Sequence, residues 1–213
     1  MTTQYLFHRI AAEPRRWDSV AQDLAEPGRM PPQGAVYGLW RSQIGRPRDE
    51  VTAITTWSAA IDPADAVARW TAGVADIRSV QTQALTPTLR PLDATPPRRQ
   101  GNYAFRWFET PAADWAEFLA LCTQAWPGFE SAYDSQVIGL WRGADAPSGD
   151  VRSLLLTRRP NLAMWERSKL PQGEAEATVR DTLNRRYDLC TSTEVCTTTL
   201  ITATDSTDDA RWT

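Results

Sequence analysis

Histidine is almost missing from this chain. His8 is the only one, which excludes a metal site built from several imidazoles and leaves no histidine-based triad with a nameable acid partner. Cysteine is limited to Cys122, Cys190 and Cys196, an odd number. Cys190 and Cys196 fall on one expected strand, roughly 20 Å apart at ~3.3 Å per residue, beyond the reach of a disulfide. Three unpaired thiols suit a reducing compartment, so the expected location is cytoplasmic. No GxGxxG, Walker loop, CxxC or nucleophile elbow is present. Carboxylates such as Glu109, Glu130 and Asp134 show no spacing that implies paired acid–base work. No run approaches the ~20 apolar residues that span a bilayer, and the N-terminus lacks the apolar stretch and cleavage site of a secretory signal. Acidic and basic residues are interspersed around a net charge of −3, which gives no basic surface for nucleic acid. Neither a membrane nor a nucleic acid is therefore an expected partner.

What is abundant is tryptophan, ten residues in 213, which implies large aromatic cores or an aromatic-lined cavity. Much of it recurs at a spacing of about 100 residues, the mark of an internal repeat. Tyr5-Leu6-Phe7-His8-Arg9 is matched by Tyr103-Ala104-Phe105-Arg106-Trp107, and Trp17 by Trp115. Val36-Tyr37-Gly38-Leu39-Trp40-Arg41 is echoed by Val137-Ile138-Gly139-Leu140-Trp141-Arg142. A polar, turn-rich stretch follows each, then a second apolar run, Val51 to Trp57 and Val151 to Thr157.

Each copy predicts strand, helix, hairpin, helix, strand. The strands over Gln4–Ala11 and Asn102–Glu109 open the copies. Helices follow at Trp17, Val20, Ala21 and Leu24, and at Trp115, Phe118, Leu119 and Cys122. Thr110 is placed to cap the second of these, with Pro111 at its first position. The next helix begins near Asp62-Pro63, with Val67, Trp70, Val74 and Ile77 on one face. Its counterpart starts after Asn161 and breaks at Pro171 and Gly173 before a helix bearing Val179, Leu183 and Tyr187. Last strands are expected near Ala84–Leu89 and Leu189–Leu200. The order β-α-β-β-α-β is the ferredoxin-like arrangement. The fold class is thus α+β: tandem ferredoxin-like repeats with two antiparallel four-stranded sheets forming a pseudo-dimeric α/β barrel. The expected boundaries are residues 1–92 and 102–202 for the repeats, 93–101 for a Pro-rich linker, and 203–213 for a disordered tail. The expected assembly is a monomer with an internal pseudo-dimer, with further oligomerisation left open.

A strand of the form YxFRxF leading into a helix, then GLWRxxxG, then an apolar strand ending in Trp, resembles the NIPSNAP branch of the dimeric α/β-barrel superfamily. Tyr103 to Arg106 sit where that family's first strand has Tyr, a variable residue, an aliphatic residue and Arg. Gly38 and Gly139 sit at its mid-hairpin glycine, and Trp57 at the aromatic that ends its third strand. His8 and Thr157 depart from the pattern. The resemblance implies a small-molecule-binding protein with a cavity for an apolar or anionic ligand. It also implies two alternatives: a cofactor-independent or haem-dependent monooxygenase, and a non-catalytic protein-interaction module. Whether the chain is an enzyme, and with which cofactor, is left open.

The candidate ligand-binding residues are His8, Arg106, Trp40, Trp141, Trp57 and Trp107; no metal ligands are expected. His8 reads either as a general base or haem ligand, or as a strand residue with one hydrogen-bond partner. Arg106, on a strand otherwise apolar on both faces, must be ion-paired or face an anionic ligand if buried. The tryptophans read as core on a pleated surface, or as the wall of a pocket for a flat ligand. Oxygenases of this superfamily place an Asn, Trp or Tyr near the substrate, whereas Asn occurs here only at 102, 161 and 184. If the chain has one site rather than two, the positions where the copies differ are its expected place: His8 against Arg106, Arg9 against Trp107, and Trp57 against Thr157.

Overall fold

A computed structural model describes residues 3–204, so the expected tail lies outside the described residues from 205 onward. Two compact units emerge: 1–86 with 93–100 and 196 onward, and 87–92 with 101–195.

The first unit contains β1 (Gln4–Ala12), α1 (Trp17–Ala25), β2 (Gly34–Ile44), β3 (Glu50–Trp57), α2 (Pro63–Trp70) and the start of β4 (Ile77–Arg90). Its strands lie in the hydrogen-bonded order β4-β1-β3-β2, all antiparallel. The second unit contains β5 (Asn102–Thr110), α3 (Trp115–Tyr133), β6 (Gln136–Arg142), β7 (Val151–Arg159), α4 (Leu162–Arg167), α5 (Glu174–Asp188) and the start of β8 (Ser192–Leu200). Its order is β8-β5-β7-β6.

The expected division into two four-stranded sheets is corrected by the ladders, which place all eight strands in one antiparallel sheet. β4 and β8 are long enough to serve both units. Thr197 to Leu200 of β8 pair with β2 of the first unit. Residues 87–90 of β4 lie beside β6 of the second, where Thr88 Oγ1 donates to the Leu140 carbonyl at 2.7 Å. The boundary between units therefore runs through two strands as well as through the connector.

The GLW motif has a specific structural cause. Register shifts at Val36/Gly38 and Val137/Gly139 mark a bulge in β2 and another in β6, so that Tyr37 and Ile138 are the extra residues. Trp40 and Trp141, two residues on and on the same strand face, fold their rings back over the glycines. A Cβ on Gly38 or Gly139 would lie 2.3 Å from Cη2 of that ring. Both tryptophans are fully buried.

In the first unit, Ile10, Leu39, Val51 and Ala53 of the sheet pack on Val20, Ala21 and Leu24 of α1 and on Trp70 of α2. In the second, Phe108, Leu140 and Leu155 pack on Phe118, Cys122, Trp126 and Phe129 of α3 and Leu183 of α5.

Several local expectations need correction. Thr110 does not cap α3. It stays in the sheet opposite Val151, Pro111 opens a turn closed by Asp114 N–H on its carbonyl, and Asp114 is the N-cap. α2 stops at Trp70, because the Thr71 N–H closes on Val67 and left-handed backbone at Gly73 and Asp76 turns the chain into β4. Val74 and Ile77 still pack on the core of that unit, but from outside the helix. Asn161 does cap α4, its side chain accepting from Met164 N–H at 2.8 Å. Among the described residues, no helix is long and apolar enough to cross a membrane.

Candidate functional site

Alternate residues of β5 point toward the helices: Ala104, Arg106 and then Phe108. β7 contributes Leu155, Thr157 and Arg159 to the same side. Opposite them α5 presents Arg180, Leu183, Arg186 and Tyr187, at the spacing of one helical face. Trp126 and Phe129 of α3 and Trp165 of α4 supply aromatic walls, and Lys169 closes the ring just beyond α4. Between these groups lies a cavity whose free centre is about 30 Å³, and about 490 Å³ when its open mouth is counted. The centre holds a water or two, so a ligand there is small or enters by moving the side chains at the mouth.

Five of the lining side chains are basic and none is acidic. Arg159 and Arg186 are buried, at 7% and 2% exposure. Buried guanidinium groups ordinarily sit against carboxylates. These do not: among the described residues, no carboxylate pairs with Arg106, Arg159, Lys169, Arg180 or Arg186. Their partners are neutral. Arg106 donates to Thr193 Oγ1 at 3.2 Å, Arg159 to Thr157 Oγ1 at 3.0 Å, and Arg186 to Cys122 Sγ at 3.6 Å. Arg180 donates to the Ser168 carbonyl. The Nε atoms of Arg159, Arg180 and Arg186 are buried with no hydrogen-bond partner. Aromatic faces take part of the charge: Arg159 lies 5.0 Å over Phe129, Lys169 5.2 Å over Trp165, and Arg106 and Arg186 5.3 and 5.0 Å over Tyr187.

The titration behaviour follows from this crowding. Burial pulls Arg159 down to about 10, helped by Arg106 and Arg180 and opposed by the Tyr187 phenol. Burial also lowers the Lys169 amine, again opposed by Tyr187 and reinforced by Arg106, Arg180 and Arg159. For Tyr187 the balance reverses: burial pushes the phenol up, but Arg186, Arg106, Lys169 and Arg180 together hold it below its ordinary value.

Of the six residues proposed from sequence, Arg106 alone lines this cavity. Thr157 lines it too. The ladders correct its expected pairing with Trp57: with His8 opposite Arg106, Thr55 is the counterpart of Thr157 and Trp57 that of Arg159. Trp57 is buried against Met30 and Gly34 and donates from Nε1 to Thr55 Oγ1 at 2.9 Å, as Arg159 does to Thr157. Trp40 and Trp141 cover their glycines. Trp107 faces away from the cavity, under the Arg152 guanidinium at 4.6 Å.

His8 is buried in the first unit, with Nδ1 2.8 Å from Thr82 Oγ1 and Nε2 2.9 Å from Thr55 Oγ1. Both ring nitrogens are engaged by threonine hydroxyls, so His8 as placed has no free nitrogen for an axial haem iron. The free centre of the unit-two cavity, about 30 Å³, is also far below the several hundred cubic ångströms that a large planar ligand fills. Among the described residues, no group of three or more His, Cys, Asp or Glu is placed to hold a metal.

Burial lowers the His8 imidazole from 6.5 to about 3. The native state therefore refuses a proton that the unfolded chain accepts, so the His8 contribution to stability is complete above pH 6.5 and is lost as the pH falls toward 3. The expected loss is about 1 kcal/mol per pH unit across that window. Urea unfolding at pH 7, 6 and 5 checks it, and His8→Gln, which keeps both threonine partners in reach, should flatten the dependence.

Arg159, Lys169, Arg180 and Arg186 are not apparent as site residues in the sequence, and Tyr187 reads there only as part of a helix face. One signal was available: of the 23 basic residues in the chain, Lys169 is the only lysine.

No protein-family model matches the chain, and no curated protein does. Solved structures do. A "putative monooxygenase" of Lactobacillus acidophilus is 9% identical with a TM-score of 0.58, covering 93% of each chain. An anthrone oxidase-like protein is 10% identical with a TM-score of 0.58, over 94% of this chain and 92% of its own. Chlorite dismutase from Candidatus Nitrospira defluvii, in complex with imidazole, is 10% identical with a TM-score of 0.54, over 93% and 90%. At such identities the likeness is one of fold. These are dimeric α/β-barrel proteins of ferredoxin-like type, and this chain shares that fold with them.

Proposed function

We propose that the chain binds a small organic anion in the cavity of its second unit. The observation that carries this reading is the set of five cations around one cavity with no carboxylate to balance them. Leaving buried guanidinium groups without counter-charge costs stability, and natural sequences retain such costs chiefly where a ligand repays them. The aromatic walls provide an apolar body around the charged end, which is the composition of a site for an organic acid rather than for a bare inorganic ion. The NIPSNAP-like resemblance agrees with small-molecule binding but does not specify the anion.

Trp126 and Trp165 both line the cavity, so tryptophan fluorescence reports its occupancy. Titration with small mono- and dicarboxylates, and with phosphate as the inorganic control, should show saturable quenching that weakens with salt. Thr157→Trp sets an indole in the cavity. It should abolish the response, and overpacking a space whose free centre is about 30 Å³ should lower stability by about 1–3 kcal/mol without preventing folding. Quenching that is absent for every anion, or that survives Thr157→Trp unchanged, would overturn the assignment.

A second reading, oxidation of an aromatic acid, draws on the "putative monooxygenase" and anthrone oxidase-like protein that share the fold. Oxygen uptake in the presence of any acid that quenches the fluorescence distinguishes turnover from binding.

A further inference from the structure

Lys169 is the only lysine in the chain, and it stands in the cavity among arginines. For charge alone, a further arginine would serve as well: it stays protonated and offers more donors. What lysine offers that arginine does not is an amine that can be deprotonated and become a nucleophile. Its surroundings favour that state. Arg106 from β5, Arg159 from β7 and Arg180 from α5 share the cavity with it, and its ammonium is partly withdrawn from water over Trp165. Among the described residues no carboxylate pairs with it to hold the proton, and Glu176 of α5 is engaged by Arg167 at 2.8 Å. Tyr187 of α5 lines the same cavity and interacts with both Arg186 and Lys169. A nucleophilic amine, a set of anion-holding guanidiniums and a phenol capable of proton transfer are thus gathered around a space sized for a few heavy atoms.

We propose that Lys169 forms a reversible imine with the carbonyl carbon of a small oxo acid whose carboxylate is held by Arg106, Arg159, Arg180 and Arg186. This rests on the anion-binding reading of the cavity and adds the carbonyl to it. In the first step the Nζ lone pair attacks the carbonyl carbon, a C–N bond forms, and the C=O π pair moves to oxygen, which takes a proton from the Tyr187 phenol; the now cationic nitrogen returns a proton to the phenolate, leaving a neutral carbinolamine. In the second, the Tyr187 phenol protonates the hydroxyl, the nitrogen lone pair forms C=N as the C–O bond breaks, water leaves, and the iminium gives its N–H proton back to the phenolate to leave the imine. Carbon undergoes no net change of oxidation state, and hydrolysis reverses the sequence. The arginines act here twice: they hold the carboxylate, and their charge favours the unprotonated amine.

The test uses the full chain with pyruvate and 2-oxoglutarate as probes and borohydride as the trap. Reduction of an imine leaves a stable secondary amine, and a single lysine makes the peptide assignment unambiguous. The expected result is a mass increase on the peptide that carries Lys169, at least tenfold above labelling of the N-terminal amine. Lys169→Arg, which keeps the cation but has no nucleophilic amine, should abolish the adduct while lactate, which has the carboxylate but no carbonyl, still gives a saturable fluorescence response. Lys169→Gln should abolish the adduct and weaken the lactate response severalfold, because it also removes one of the five cations. If the oxo acids quench tryptophan fluorescence but leave no adduct at Lys169, the imine is disproved and anion binding stands. If neither oxo acids nor lactate give a response, both readings fall.

Discussion

Arg159→Met should make the ligand-free protein more stable and at the same time weaken its hold on an anion. The two effects have opposite signs because the same feature causes both. Arg159 is a buried cation whose partners are a threonine hydroxyl and an aromatic ring, with its Nε unsatisfied. Replacing it with an unbranched apolar side chain removes an unpaired charge and relieves repulsion from Arg106 and Arg180. Exchanges of buried ions for apolar residues of similar volume are neutral or stabilising, here by about 1–2 kcal/mol. A charge-assisted hydrogen bond to a bound carboxylate is worth about 2 kcal/mol, so affinity should fall roughly thirtyfold. Urea unfolding without ligand, paired with the fluorescence titration, measures both. Were Arg159 merely structural, stability would fall and affinity would change little. Binding sites commonly show this exchange of stability for function, and its sign is more diagnostic than its size.

Gly139→Val should destabilise the second unit by about 3 kcal/mol, among the larger effects of any single substitution. The added Cβ would meet the Trp141 ring at 2.3 Å, and that ring is fully buried, with no solvent into which it could swing. Overpacking of this kind costs a few kcal/mol because side chain and backbone must both shift. The cause is the ring rather than the backbone, so the cost is conditional on Trp141. Trp141→Leu should itself be destabilising, but Gly139→Val made on top of it should add less than about 1 kcal/mol. Denaturation of the two single variants and the double variant gives that coupling directly. Full additivity would show that Gly139 is needed for the bulge in β6 and not for the tryptophan.

How much of this was legible in the sequence divides by the range of the interactions. The pairs Gly38/Trp40 and Gly139/Trp141 are local, two residues apart, and the strands they belong to were visible from the motif alone, whereas the bulges were not. Asn161 as a cap was legible for the same reason, since a capping side chain reaches only two or three residues along the chain. Thr110 misled because its residue type and the Pro111 that follows fit a helix start. Three more residues of turn intervene, and pairing with Val151 outweighed the local preference. α2 was read too long because Val74 and Ile77 keep helical spacing and do reach the core. Left-handed backbone at Gly73 and Asp76 interrupts the helix without breaking the hydrophobic pattern.

The cavity was the least legible feature. Its cations come from β5, β7, the turn after α4 and two turns of α5, and no local spacing joins them. On α5 they look like the ordinary solvated charges of a polar helix. What the repeat did offer was comparison with itself. Arg106 stands opposite His8, and the ladders put Arg159, rather than the expected Thr157, opposite Trp57. Where the first unit has a tryptophan and a neutral histidine that share the Thr55 hydroxyl, the second has two guanidinium groups. Divergence between the copies therefore marked part of the cavity, although neither copy alone did.

The two shared strands bear on how such a chain can be cut, copied or recombined. A fragment ending at residue 92 would keep β2 but lose the stretch of β8 that pairs with it, leaving a row of backbone donors and acceptors bare beside Trp40 and Ser42. A fragment beginning at residue 102 would lose residues 87–90 from beside β6, together with Arg90, which grips Glu130 at 2.6 Å. Bare edges of this kind recruit other chains. The halves have similar plans, but they are not interchangeable parts: each has handed a strand end to the other, so any duplication, truncation or swap that respects only the Pro-rich connector would yield two sticky, incomplete pieces.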